Sequence, residues 1–508
     1  MRRVARLLLL VLALGSPAAA ARTAPAAGRT AAAVFDEVAG SPTRLRVFLQ
    51  AMPKGGDLHN HLSGAPYAED YIDWAADAGY CVDPAVPRLV PPPCPPGSAV
   101  RGLGERDSFA YAHLVDALST RGLQAGVGRN DVSGHRQFFG SFNRFGAVAA
   151  TRVADSLVAT RRLAAGDHAQ YLELIHNPNA LMDDILAGPV GRLDASGLAE
   201  AWRREAARAD PVVARAMAEL DKDEAQARQS LGCGTPAEPA ACGVEVRYLA
   251  WVPRALPPAE VFRSMVLAFA LADRDPRFVG VNIVEPEDAP VSLRDYDLHM
   301  AMFSFLEGKY PRVRRSLHAG ELARGMVPPA ALSDHIAKAV EVGGAQRIGH
   351  GTDIAFEDAA PATLARMARD RIAVEINLTS NDVILNVRGA DHPLGLYRRA
   401  GVPVVLSTDD EGLLRTDLTN EYVRGAREQG LRYDDLKEIA RASLEYAFLP
   451  GASLWTAGAV GTPVDACAGG LERPTCRDLL RQSERARLQA DLEARFTAFE
   501  KEVVGWAF

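Results

Sequence analysis

An alternation in the chain limits its fold more than any other feature. Eight short apolar runs recur, each ending in polar or glycine-rich residues: Gly56–Leu62, Ala169–Ile175, Val244–Val252, Phe278–Val284, Val313–His318, Gln346–Gly349, Ile372–Leu378 and Val402–Ser407. Longer segments with helical periodicity separate them, such as Ala330–Val342, Ala360–Asp370 and Pro393–Ala400. Strand then helix, eight times over, predicts an α/β chain folded as a (β/α)8 TIM barrel, with insertions and extra helices at both ends. A doubly wound open sheet is the alternative. It does not readily explain why polar residues suited to chemistry sit at the ends of strands spread along the whole chain. In a barrel all eight strand ends meet on one face.

The flanks of this pattern set the expected boundaries. Residues 1–20 read as a signal peptide: Arg2, Arg3 and Arg6 precede the apolar Leu7–Leu14, and Ala18-Ala19-Ala20 fits a cleavage site. The apolar run is too short to span a bilayer, so the reading is export to the periplasm or outside the cell, with no stable membrane insertion. An uncut N-terminal anchor is the alternative. Residues 21–51 follow as a linker and a helix placed at 34–51. The barrel takes residues 52–455, with an insertion at about 78–135 and a small Cys-bounded loop at about 230–243. Residues 456–508 form a C-terminal helical extension with an amphipathic helix at 479–503. The six cysteines fall into three local pairs, Cys81 with Cys94, Cys233 with Cys242 and Cys467 with Cys476. An even count in an exported chain favours disulfides, although spacing alone does not fix the pairing. The formal net charge of −7 gives no reason to expect a nucleic-acid partner.

Four short motifs carry the chemistry. In Asp57-Leu58-His59-Asn60-His61, side-chain alternation along a strand points both histidines the same way, where two imidazoles can grip one metal ion. His318-Ala319-Gly320-Glu321 ends the fifth run, with His318 as a third ligand and Glu321 as a carboxyl whose surroundings can raise its pKa for proton donation; a helix-capping Glu is the bland alternative. Gly349-His350-Gly351 ends the sixth run, and Thr408-Asp409-Asp410 follows the eighth, where Asp409 can complete the metal site. Each motif alone is weak evidence. The remaining histidines (His113, His135, His168, His176, His299, His335 and His392) show no ligand spacing, and the five tryptophans read as core or packing residues. His135 reads as a surface or packing residue, with lining the pocket from the insertion as the alternative.

Taken in order on runs one, five, six and eight, the four motifs closely resemble the adenosine deaminase family. The resemblance runs from Met52-Pro53-Lys54 to about Tyr422, and takes in Tyr171-Leu172-Glu173-Leu174, Leu378-Thr379-Ser380-Asn381 and His392-Pro393-Leu394. The cysteine-bearing insertion, followed by His135, Phe138, Phe139 and Phe142, is similar to the secreted adenosine deaminase-related growth factors. The resemblance implies one Zn2+ per chain on His59, His61, His318 and Asp409, and a small-molecule purine nucleoside as partner. It implies a zinc-activated water attacking the carbon that bears the amino group. His350 would orient or deprotonate that water, Glu321 would protonate the adjacent ring nitrogen, and Asp410 would hold the five-membered ring. Three histidines and a carboxylate also suit iron, cobalt or manganese. Room is left for a homodimer.

Two departures from the family fall on substrate recognition. Ser63 stands where an Asp is usual, and either hydrogen-bonds the sugar or makes space. Glu285 replaces a glycine at the end of the fourth run, and either meets a purine or sugar donor or only shapes the pocket. The expected reaction is deamination of adenosine or deoxyadenosine to inosine and ammonia. The alternatives are deamination of another aminopurine or aminated heterocycle, and an extracellular nucleoside-binding or signalling protein on the same fold.

Overall fold

The computed structural model describes residues 28–123, 132–188 and 191–507, so the expected signal peptide and most of the linker lie outside it. Eight parallel strands form one sheet in sequence order: β1 Gly55–His61, β2 Ala169–Ile175, β3 Glu245–Pro253, β4 Phe278–Val284, β5 Arg314–Ala319, β6 Arg347–His350, β7 Ala373–Ile376 and β8 Val404–Leu406. A parallel bridge between Asn60 and Asp409 brings the first and last strands together. There His61 N–H donates to the Asp409 carbonyl at 2.8 Å and Asp409 N–H to the His59 carbonyl at 2.9 Å. The seam that closes the barrel therefore also fixes three of the expected metal ligands relative to one another. All eight strands lie within one or two residues of their expected positions. β7 stops at Ile376, two residues short, because Leu378, expected in the strand, opens the helix Leu378–Leu385.

The barrel is covered on its outside by helices such as Pro258–Arg274, most of whose side chains are buried. That burial on both faces of the strands is why their runs are continuously apolar rather than alternating. The helix expected at 34–51 is two helices, Ala31–Val38 and Pro42–Ala51. Pro42 sits in the first turn of the second, where its missing N–H leaves no hydrogen bond unmade. Buried Lys54 then gathers three backbone carbonyls, Leu49 at 2.7 Å, Met52 at 3.0 Å and Asp167 at 2.8 Å, tying this helix end to the strand that carries the two histidines. The amphipathic helix expected at 479–503 is likewise split, into Pro474–Gln482 and Glu484–Val503, because the Ser483 hydroxyl accepts the Ala486 N–H and caps the second piece.

The three disulfides join Cys81 to Cys94, Cys233 to Cys242 and Cys467 to Cys476, as the local pairing suggested. The first pins the two-stranded hairpin of the insertion, Cys81–Val82 with Leu89–Val90. The helices Ser108–Leu118 and Gly134–Ala149 follow it. Together they build a second apolar cluster that includes Tyr71, Leu114, Phe138, Phe145, Ile384 and Leu413 and is separate from the main core. Its members come both from the insertion and from loops beyond the strand ends, so burial glues the insertion over the mouth of the barrel. No helix among the described residues is long and apolar enough to cross a membrane.

Candidate metal centre and active-site cavity

His59, His61, His318 and Asp409 converge at the C-terminal mouth of the barrel. His59 Nε2 and His61 Nε2 lie 3.1 and 3.3 Å from His318 Nε2, and 3.4 and 3.3 Å from Asp409 Oδ1. Four donors arranged tetrahedrally at bonds of about 2.0–2.1 Å would stand roughly 3.3 Å apart. Three imidazole nitrogens and a carboxylate oxygen facing one another at that spacing, all but His61 fully buried, fit a divalent metal ion. Gly349 makes room for them: a Cβ there would come within 2.7 Å of His59 Cε1.

Two further side chains orient the ligands, and the motif reading did not assign them this role. Glu375 on β7 accepts from His59 Nδ1 at 2.7 Å, which turns Nε2 toward the centre. The same carboxylate accepts from Ser316 Oγ at 2.7 Å and Arg347 Nε at 2.5 Å. Burial opposes its charge, but Arg347 and the His59 and Ser316 hydrogen bonds hold it at about 2. Asn282 on β4 takes the His318 Nδ1 proton at 2.8 Å and the His318 backbone N–H at 3.1 Å. A charged or amide side chain inside an otherwise apolar barrel strand was the signal that would have found both.

Glu321 sits across the Ala319-Gly320 turn from His318. The turn is held by buried Glu287, which accepts the backbone N–H groups of Gly320 at 3.1 Å and Glu321 at 2.9 Å, and His335 Nδ1 at 2.6 Å. Burial opposes the Glu287 charge as well, but Arg254 and His335 hold it at about 2. Arg254 also donates to the His318 carbonyl at 2.6 Å. The Glu321 carboxyl, by contrast, is pushed well above the usual carboxylate range, first by burial and then by Asp409 and Glu287. That is the direction a proton donor requires. Asp410 is raised in the same direction by burial and by Asp409, and one of its carboxyl oxygens is buried with no hydrogen-bond partner. Gly64 permits its placement, because a Cβ there would fall 1.7 Å from Asp410 Oδ1.

His350 is fully buried, with Nε2 3.9 Å from Glu321 Oε1 and without a hydrogen-bond partner. Burial drives its pKa down to about 3, so the ring is neutral. His350, Asp409 and Glu285 all hold left-handed backbone, with φ of 65°, 63° and 79°. Non-glycine residues pay strain for that conformation, and it clusters here at the site.

A cavity of about 370 Å3 opens onto these groups. Its floor holds His61, His318, Glu321, Asp409 and Asp410, and its walls include Ser63, Glu285, Trp251, Phe138, Phe139 and Phe142. All nine residues expected at the site are therefore in this region, with His59 and His350 buried just beneath the cavity. Glu285 turns one oxygen to the Ala255 backbone N–H at 2.8 Å, so part of its carboxylate shapes the loop. Trp251 packs against the apolar cluster of Ile175, Leu249, Val284 and Phe448, as expected, and also lines the cavity. His135 takes the packing role: Nε2 pairs with Asp288 Oδ1 at 2.9 Å, fastening the insertion to the loop after β4.

The chain is similar to known deaminases. It is 43% identical over 106 residues to an aminodeoxyfutalosine deaminase from Streptomyces coelicolor, covering 21% of this chain and 27% of that protein. It is 30% identical over 153 residues to an adenosine deaminase from Clostridium kluyveri, covering 30% of this chain and 40% of that one. The chain thus matches less than half the length of these relatives. In fold it is similar to the structure of the ADAL-IMP complex, with a TM-score of 0.51 and 18% identity over 89% of this chain and 99% of the other. The family model for adenosine deaminase matches residues 207–453.

Proposed function

The chain belongs to the adenosine deaminase family, whose model it matches over residues 207–453, and we propose that it hydrolyses adenosine or deoxyadenosine to the corresponding inosine and ammonia with one zinc ion per chain. One observation carries this reading. Three of the four ligands (His61, His318 and Asp409), Glu321 and Asp410 with its spare oxygen border one cavity, and among the described residues no lysine or arginine lines it. A neutral aminopurine nucleoside suits such a wall; a phosphate does not.

When bound, zinc lowers the pKa of water and so supplies a nucleophile at neutral pH. The side chains do the rest. Glu321 donates its proton to the ring nitrogen beside the amino-bearing carbon, which makes that carbon electrophilic. Asp410 meets the five-membered ring with its spare oxygen. Phe138, Phe139 and Phe142, carried by Gly134–Ala149, close the cavity against bulk water. As water adds at the carbon and the C–N bond breaks, one water proton goes to the departing amino group, which leaves as ammonia, and the other returns to Glu321, so that the oxygen stays as the ring carbonyl.

The aromatic wall also favours a second reading, an aminopurine nucleoside with an apolar group on its sugar, for which Ser63 leaves space and Glu285 supplies an acceptor. Export through residues 1–20 belongs to the same proposal, supported by three disulfides and no free cysteine among the described residues. The test is ammonia release from adenosine, deoxyadenosine, adenine, AMP and sugar-substituted adenosines. Turnover of adenosine with rejection of AMP is expected. Turnover of sugar-substituted members alone moves the substrate to the second reading. Turnover of AMP at the rate of adenosine contradicts the cavity argument, and zinc-bound protein inert toward all of them leaves a binding role.

A further inference from the structure

The hydrogen bonds behind His350 determine which of its nitrogens carries the proton. The chain starts at a backbone N–H, which can only donate: Leu394 N–H gives its hydrogen to His392 Nδ1 at 3.1 Å. His392 is buried and neutral, its pKa pulled to about 3 by burial and by Arg424, so its one proton is on Nε2. That Nε2–H donates to Asn381 Oδ1 at 3.0 Å. With its oxygen engaged, Asn381 turns its amide nitrogen to His350 Nδ1, 3.0 Å away. An amide nitrogen donates and does not accept, so His350 Nδ1 is the acceptor. The Asn377 amide nitrogen lies 3.4 Å from the same atom.

We infer that Asn381 and His392 are positioning residues that hold His350 as the Nε2–H tautomer, so that it donates a hydrogen bond to the attacking water and does not deprotonate it. The unpartnered, fully buried Nε2 near Glu321 is where that donor faces the reacting oxygen. Nε2 has no lone pair with which to take a proton until its own has gone. The tautomer of a catalytic histidine is set by the bond its other nitrogen makes, and here that bond comes from a chain ending in the backbone of Leu394.

The first readout is independent of turnover: nitrogen-15 spectra of the zinc-loaded protein labelled at its histidine rings, with the His350 signals assigned by their loss in His350→Gln. The expected result is a protonated Nε2 and a bare Nδ1; a protonated Nδ1 overturns the inference. The second readout changes the relay. Asn381→Asp puts an acceptor opposite Nδ1 at constant size, so the proton should move to Nδ1 and kcat should fall by about 100-fold or more, with KM within about threefold. His392→Leu should lower kcat in the same way, and His392→Gln, which restores an N–H, should recover most of it. A shifted tautomer with unchanged kcat overturns the catalytic half. The kinetic arm rests on the deamination proposed above. If no substrate is turned over, the spectra of the unaltered protein still decide the tautomer.

Discussion

Replacing Glu375 by Gln probes the support of the metal site without touching a ligand. The carboxylate bridges His59 Nδ1 at 2.7 Å on one oxygen and Arg347 Nε and Ser316 Oγ at 2.5 and 2.7 Å on the other. Gln keeps the volume but has one acceptor oxygen. With that oxygen toward Arg347, its NH2 meets the His59 Nδ1–H head-on; flipped, the NH2 meets the Arg347 guanidinium. Either way one short contact turns repulsive. Loss of such a partner to a ligating histidine costs about 10- to 100-fold in metal affinity, which is about 1.4–2.7 kcal/mol. The metal-free fold should suffer less than the roughly 3–5 kcal/mol of a broken buried ion pair. Arg347 keeps its second partner, Glu173 Oε2 at 2.5 Å. Zinc affinity by chelator competition, beside thermal unfolding with and without metal, separates the two effects. A folded Glu375→Gln protein that binds zinc within twofold of the parent would refute the claim that this carboxylate orients His59.

Other consequences follow from the same geometry. Glu321→Gln removes the proton donor but no ligand, so zinc content by metal analysis should stay at the parent level while kcat falls about 100-fold or more. Gly349→Ala forces a Cβ to 2.7 Å from the His59 ring, and zinc retained after dialysis should drop because the ligand must move. Glu375 and Glu287 both lie at about 2 against an ordinary 4.5. Folded pKa values below the unfolded ones mean that their stabilisation is complete above about pH 4.5 and is lost as pH falls toward about 2. Urea midpoints measured across that window should fall steeply, and less steeply in Glu287→Gln.

How much of this was legible in the sequence depends on whether a residue's role is local. Strand periodicity located all eight barrel strands, and the endings of β1, β5 and β6 announced His59, His61, His318 and His350 because polar groups interrupt apolar runs there. Asp409 and Asp410 were visible for the same reason. The supports were not, since their partners lie far along the chain. Glu375 meets a histidine 316 positions away, and Asn282 meets His318 across 36. His392 lies outside the four motifs, and its link to His350 runs through Asn381, 11 positions back, and from there to a ring 31 positions further. The helix breaks at Pro42 and Ser483 had local signals, a proline and a capping serine, that the apolar periodicity running through them obscured. The cavity face of Trp251 was not legible, because composition does not say which side of a strand end is covered by an insertion more than a hundred residues away.

The central claim is that zinc held by His59, His61, His318 and Asp409 drives deamination in the cavity beside Glu321. The most direct test strips the metal from the mature protein, adds zinc back in steps, and follows inosine formation from adenosine, with Asp409→Ala in parallel. The account predicts activity that rises in proportion to bound zinc, saturates at one ion per chain and is absent in Asp409→Ala. Activity that ignores zinc, or survives loss of Asp409, would contradict it.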